Sequence, residues 1–516
     1  MHAFEALLLI LIGAVLLSLL ARRLNAPFPP FLALGGAAVA FLPWAPELTL
    51  DPELVLALFV APVLLDAAFD SSPRDLKRNA VPIIFLTIVA VGVTVVAVAL
   101  AARALEPSMA WPVAIALGAI VAPPDAAAAT SVLRAVPVPH RVRVVLEGES
   151  LFNDATSLLT YRLAVTAATA GLVVGWPLVA MLVWMVIGSV ILGVAAGWLA
   201  SQINGRIEDA PLAILTQFIF TFGVWLIAEQ VQVSAIITVV VYGLVAARLS
   251  ARRSSAALRV PSYAVWETAV FALNATAFAI VGLQIGPIWR ALEPGQRSEY
   301  AVFALIILGV AVAARLAWVM TYNVAAQIKN RTVGANPPGG QAPPTLKTGL
   351  VVGWSGMRGV VSLATAYALP DNFPHRDLIL LATFAVVLGT LSIQGLTLGP
   401  LIRLLKIRDD GQLAREVHLA RKTVLDAGLG HVSKTEGAIA ARLRADYAER
   451  MTALEKASPE DGRIFSEQDR LLGAVLEAKR EALVDLRMSG RISDAAYFQL
   501  EEELDRMELS LTPVVR

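Results

Sequence analysis

The chain has 516 residues, 57% of them apolar and 16% charged, with mean hydropathy +0.68; soluble globular chains sit near about 45–50% apolar and about 25% charged. The 42 basic and 41 acidic residues leave a formal net charge of +1, so no global field points to nucleic acid as a partner. No cysteine occurs, which excludes disulfides, thiolate metal sites and cysteine nucleophiles.

The apolar excess lies before about residue 406 and the remainder is densely charged, which predicts an all-α polytopic membrane domain over 1–406 and a small cytoplasmic helical domain over 407–516. The run from Phe4 to Leu20 has no basic segment before it and Arg22 and Arg23 after it. Those are the flanks of a membrane span rather than of a cleaved signal. A span needs about 20 mostly apolar residues. On that measure spans are predicted near 3–21, 28–44, 54–70, 80–104, 111–133, 142–171, 176–200, 210–229, 233–249, 263–284, 301–326, 346–369 and 378–402, about 13 in all. Loops after odd-numbered spans hold 16 Lys and Arg against 4 after even-numbered ones. The positive-inside rule then puts the N-terminus outside and the C-terminus in the cytoplasm.

An odd number of spans permits two inverted six-helix repeats around the seventh, with the fifth and twelfth at matching places. Both are interrupted. The fifth carries Ala122-Pro123-Pro124-Asp125, where two prolines remove amide donors. The twelfth carries Gly353-Trp354-Ser355-Gly356-Met357-Arg358-Gly359. Unwound backbone at membrane depth is tolerated where it is buried in protein or lines a cavity, and a matched pair of breaks is the usual pointer to a midplane transport site. In the tail, Ile439 to Leu454 and Glu467 to Met488 have helical apolar spacing.

Charges at the bilayer centre are costly and usually functional. The predicted spans hold Asp66, Asp125, Glu147, Glu149, Asp154, Arg162, Glu267, Arg315 and Arg358. Asp125 follows the Pro-Pro break, beside freed carbonyls. In Glu149-Ser150-Leu151-Phe152-Asn153-Asp154, Ser150 and Asp154 share one helical face, and Glu149 and Asn153 the neighbouring one. Carboxylates, a hydroxyl and carbonyls make an all-oxygen shell suited to a hard monovalent cation such as Na⁺ at Asp125, Asp154 and Ser150. Asp66 is read either as lining a cation funnel or as capping the cytoplasmic end of its helix. Glu267 and Arg162 are read as interfacial or packing charges, and the five histidines as loop, end or tail residues without a metal-ligand cluster.

These residues resemble a known family. Gly148-Glu149-Ser150-Leu151-Phe152-Asn153-Asp154 is similar to the signature helix of monovalent cation:proton antiporters of the Na⁺/H⁺ exchanger (NhaP/NHE) type. Phe59 to Ala67, Trp266-Glu267 with Asn274 and Gly282-Leu283, and the Gly353 to Gly359 break agree, over roughly residues 5–405. The resemblance implies Asp154 as the carboxylate that takes either cation or proton, Asn153 beside it, and Asp125 and Ser150 as cation ligands. It implies Glu149 as a buried acid held by an arginine, with Arg315 and Arg358 both matching family arginines. Many members have Thr-Asp-Pro where this chain has Pro124-Asp125-Ala126, so a threonine ligand is missing.

The resemblance also implies a homodimer and an Asn-Asp pair that exchanges one cation for one proton without net charge. The function expected is Na⁺/H⁺ antiport by alternating access, serving pH and sodium homeostasis in a bacterial inner membrane, with K⁺/H⁺ antiport as the alternative and Li⁺ a further candidate ion. No cofactor is expected, and the chain is read as a transporter rather than an enzyme. A cation channel and a sensor built on a transport core are the rival classes; paired breaks favour alternating access over a continuous pore. An intramembrane aspartyl protease would need Gly-x-Gly-Asp, and Asp154 follows Phe152-Asn153. ATP-driven pumping would need a phosphate-binding loop, which is absent from the sequence.

Overall fold

The computed structural model describes residues 2–24, 26–43, 51–133, 136–170, 176–250, 255–333, 344–458, 467–489, 491 and 493–511. Among these residues every regular element is helical, and the chain divides into two compact units, Met1–Arg408 and Asp409–Arg516.

The first unit opens with α1 (His2–Arg23), α2 (Phe28–Val39), α3 (Pro52–Val55) and α4 (Ala61–Asp70), the last two joined by a π-helical turn over Leu56–Val60. Next come α5 (Pro73–Arg78), α6 (Ala80–Ile84), a second π-helical turn over Phe85–Ala90, α7 (Val91–Leu105), α8 (Trp111–Val121) and α9 (Ala126–Leu133). Long helices follow: α10 (His140–Ala170), α11 (Trp176–Asn204), α12 (Ala210–Gln230), α13 (Ala235–Ser250) and α14 (Ala256–Leu283), with the short α15 (Ile285–Ala291). The unit ends with α16 (Arg297–Val333), α17 (Leu346–Trp354), α18 (Val360–Tyr367) and α19 (Arg376–Leu404).

Several starts are fixed by side chains that take up the first free amides. Asp51 Oδ1 accepts from Glu53 N at 2.8 Å ahead of α3, Asp209 Oδ1 from Leu212 N at 2.9 Å ahead of α12, and Thr345 forms a reciprocal cap with Thr348 ahead of α17. Among the described residues seven helical segments are long and apolar enough to cross a membrane, and Phe28–Val39, Trp111–Val121 and Ala235–Ser250 are shorter apolar helices.

The structure differs from the sequence expectation at some boundaries. The predicted second segment is helical only to Val39, and α5 was not anticipated. Helix α14 begins at Ala256 rather than near 263 and runs through Pro261. The carbonyl that Pro261 leaves without an amide belongs to Ala257, at the exposed start of the helix.

Two apolar cores organise this unit. One gathers buried residues of α7, α8, α10, α16 and α19, including Leu117, Ile120, Ile307, Ile379 and Leu391. The other gathers α4, α12 and α13 around Leu64, Trp225, Ile236 and Val240. Helices α2 and α14 pack at backbone distance: a Cβ on Gly36 would overlap Ala279 O, and one on Gly282 would overlap Ala33 O. Such small-residue contacts drive helix association in lipid, where apolar transfer contributes nothing.

The second unit consists of α20 (Gln412–Val432), α21 (Ala438–Lys456), α22 (Glu467–Met488) and α23 (Asp494–Leu511), with α20 packed on α21 and α22 on α23. Leu454, Leu476, Leu483 and Tyr497 are buried, and Arg487 lies 4.5 Å over the Tyr497 ring while bonding Asp494 at 2.8 Å. The segment from Pro459 between the two predicted tail helices lies outside the described residues.

Candidate ion-binding site

Both interruptions fall where the sequence puts them. Helix α8 stops at Val121 and α9 restarts at Ala126; α17 stops at Trp354 and α18 restarts at Val360. The two unwound stretches meet directly, because Asp125 N donates to Met357 O at 2.6 Å.

Asp125 is held by both restarting helices. Its Oδ1 accepts from Ala127 N at 2.8 Å and Ala128 N at 3.2 Å, so the carboxylate caps α9. Its other oxygen occupies the place a Cβ on Gly359 would take, and the Val360 amide faces the same carboxylate. Two helix N-termini, each carrying partial positive charge, therefore converge on one acid. Gly359 is the residue that lets the second helix approach so closely.

On α10, Asp154 is 8% exposed and Glu149 1% exposed. Glu149 is fully engaged: Arg315 Nη1 and Nη2 donate to its two oxygens at 2.5 and 2.9 Å, and Nη2 also reaches Val352 O at 3.2 Å. Arg358, the other arginine, bonds no carboxylate in these contacts. Its Nε donates to Val121 O at 3.0 Å, Nη2 to Ala311 O at 3.2 Å and Nη1 to Gly356 O, while its backbone amide donates to Thr390 Oγ1 at 3.0 Å. It thus satisfies two carbonyls at the breaks, Val121 O and Gly356 O, and ties them to Ala311 of the unbroken α16.

Asn153 is fully buried and spends both polar ends on backbone, Nδ2 donating to Pro124 O at 2.7 Å and Oδ1 accepting from Asp154 N at 2.7 Å. It ties the Pro-Pro break to the helix bearing Asp154. Ser150, one turn before Asp154, donates to Leu146 O at 2.8 Å and keeps its lone pairs as acceptors.

A cavity of about 40 Å³ lies where these elements converge. Asp125, Asp154, Asn274, Gly359 and Ser362 line it with Pro123, Pro124 and Phe59. A water-sized sphere needs roughly 10–15 Å³ of such space, so an ion with one or two waters fits and an organic solute does not. The lining includes neither Ser150 nor Asn153, each expected among the ligands; Asn153 stands behind the carboxylates as a brace. Asp66 borders a separate cavity of about 220 Å³ with Asp70, Gln217, Tyr242, Arg259 and Trp266. Glu267 is exposed and Arg162 half-buried, and neither lines the smaller cavity. Among the polar lining residues, Ser362 is one that sequence reasoning did not single out, and Gly359 was named there only as part of the glycine-rich break.

Broken helices crossing inside an apolar helical unit, with paired carboxylates at the crossing, define a membrane-embedded transporter. The sodium/hydrogen exchanger transmembrane family model matches residues 7–404, so the chain belongs to that family. An uncharacterized Na⁺/H⁺ exchanger of Mycobacterium bovis is 30% identical, with 97% of this chain and 95% of that protein covered. A sodium, potassium, lithium and rubidium/H⁺ antiporter of Bacillus pumilus is 26% identical, covering 93% of this chain and 74% of that protein. In fold, the chain is similar to the sodium proton antiporter MjNhaP1 of Methanocaldococcus jannaschii, with TM-score 0.60, 18% identity, and 78% of this chain and 100% of that one covered.

Proposed function

We propose that this protein is a Na⁺/H⁺ antiporter that exchanges one cation for one proton by alternating access. The observation that carries the reading is the single small cavity onto which both Asp125 and Asp154 open, at the crossing of two broken helices. Asp125 already accepts amide hydrogens from the α9 terminus. The Asp154 carboxylate accepts no such hydrogen bond among the described residues, its backbone amide donating instead to Asn153 Oδ1, and it is the carboxylate that changes occupant. A carboxylate cannot hold a proton and a cation together, so a carrier that reorients only when Asp154 is occupied exchanges one for the other. Ser150, one turn away, stands outside the cavity lining, and Asn153 holds the break against α10. The Glu149–Arg315 pair and Arg358 keep the unwound segments in register.

The cavity also bears on ion choice. With no threonine before Asp125, the shell has fewer fixed oxygens than the family pattern implies, which favours a site tolerant of K⁺ and Li⁺ beside Na⁺. The ions that name the Bacillus pumilus relative support that second reading. The same reading places the chain as a homodimer of inverted six-helix repeats in a bacterial inner membrane, N-terminus outside and C-terminal unit cytoplasmic, where exchange serves pH and sodium homeostasis. Asp66, at the larger cavity, is assigned to the ion approach.

The test is dissipation of an imposed pH gradient in proteoliposomes by Na⁺, Li⁺ or K⁺. Wild-type protein collapses the gradient at a rate independent of a clamped membrane potential, and Asp154→Asn abolishes exchange at normal yield. Full activity in that variant overturns the site; a voltage-dependent rate overturns the stoichiometry.

A further inference from the structure

Ser362 is 1% exposed, lines the cavity with Asp125 and Asp154, and its hydroxyl has no hydrogen-bond partner among the described residues. Many buried hydroxyls here donate to the carbonyl one turn back, as Ser150 does to Leu146 O and Thr365 to Val361 O; Ser18, Thr87, Ser157, Thr383 and Ser392 share the lack of a partner among the described residues, but of this group Ser362 alone lines the cavity. Ser362 lacks that option for a structural reason. It is the third residue of α18, so the residue four positions earlier, Arg358, belongs to the unwound stretch rather than to a helical turn. The N-cap is Gly359, which has no side chain to reciprocate. A buried hydroxyl left in this state is destabilising, and at a site of this kind it indicates a ligand that the protein atoms do not supply.

The geometry points to Ser362 Oγ as a cation ligand that takes the place of the missing threonine oxygen and sets the choice among Na⁺, Li⁺ and K⁺. This deepens the antiporter reading and rests on it. The hydroxyl oxygen is a hard, neutral donor of the kind small monovalent cations favour. It sits in the first turn of α18, just past the second break, and shares the cavity with Pro123 and Pro124 of the first, so the cation would be held from both interrupted helices at once. Asn274 of α14 lines the same cavity. A cation bound between the two breaks and α14 would couple ion occupancy to the packing of the two apolar cores, which is where alternating access must act.

The experiment measures gradient dissipation by the full-length protein in proteoliposomes at several concentrations of Na⁺, Li⁺ and K⁺, for wild type, Ser362→Ala, Ser362→Thr and Ser362→Cys. Loss of one polar contact is expected to raise the apparent KM for Na⁺ and Li⁺ about fivefold or more in the Ala and Cys variants, with less change for K⁺ and maximal rates within about twofold. The Thr variant keeps the oxygen and is expected to retain wild-type KM. A purely structural hydroxyl, or one that holds only a trapped water, would instead alter yield or maximal rate equally for all cations, and that result overturns the assignment. The increase in thermal stability on replacing choline by Na⁺ at constant ionic strength provides a readout without transport, since a ligand that binds the folded state stabilises it. It is expected to shrink in the Ala variant, and an unchanged increase overturns the assignment. If wild type transports and Ser362→Ala keeps its KM, Ser362 is not a ligand and the antiporter reading stands. If wild type moves protons with none of the three cations, both fall.

Discussion

Glu149→Gln removes one charge from a pair in which both side chains are almost fully enclosed, at 3% and 1% exposure. The bidentate fork, at 2.5 and 2.9 Å, needs two acceptor oxygens. Glutamine offers one, and its amide nitrogen sets donor against donor at the second contact. Arg315 then keeps a buried positive charge with a single fork bond and the Val352 carbonyl; its Nε already has no hydrogen-bond partner among the described residues. Breaking a buried pair from one side costs about 3–5 kcal/mol, and the residual bond places this variant near about 3 kcal/mol. A unit of some 400 residues loses roughly 1–2 °C of melting temperature per kcal/mol, so a fall of about 3–6 °C is expected. Heating detergent-solubilised protein and following the monodisperse fraction by size-exclusion chromatography measures it. Removing both charges with Glu149→Leu/Arg315→Met is expected to recover most of the loss, because no unpaired charge remains. Wild-type stability in Glu149→Gln, or no recovery in the double variant, would refute the reasoning.

Gly359→Ala puts a methyl group where the Asp125 carboxylate sits; either that carboxylate or the start of α18 must move, and exchange is expected to fall about tenfold or more, with wild-type rate and KM as the contrary outcome. Competition for Asp154 makes the rate at fixed Na⁺ pass through a maximum in pH, and one-for-one exchange moves the acid limb down by about one pH unit per tenfold rise in Na⁺; a limb that ignores Na⁺ concentration would show that cation and proton use different groups. Arg358→Lys replaces a planar fork, which reaches Val121 O, Gly356 O and Ala311 O together, by a single ammonium. Transport is expected to fall with Glu149–Arg315 intact, and a lysine variant with normal rate and melting temperature would remove Arg358 from the bracing of the breaks.

The amino-acid sequence by itself determined the membrane class, the places of the long helices and the two interruptions. These follow from local physics: an apolar run must satisfy its backbone internally in lipid, and Pro123-Pro124 cannot do so. Asp125, Glu149 and Asp154 stood out as candidates for the same reason, since charges are rare in such apolar runs. Which groups meet was decided only in three dimensions. Glu149 faced two equally good arginines in the sequence, and the choice of Arg315 depends on how α16 lies against α10, while Arg358 is turned toward backbone carbonyls, among them Val121 O, which is a free acceptor because another helix is broken. Asn153 looked like a ligand beside Asp154, yet the Pro124 carbonyl, 29 positions earlier in the chain, takes its amide. Ser362 carried no signal of its own and Gly359 only that of a glycine-rich break, because a missing Cβ or an unpaired hydroxyl acquires its specific meaning only from the atoms that a distant segment brings against it.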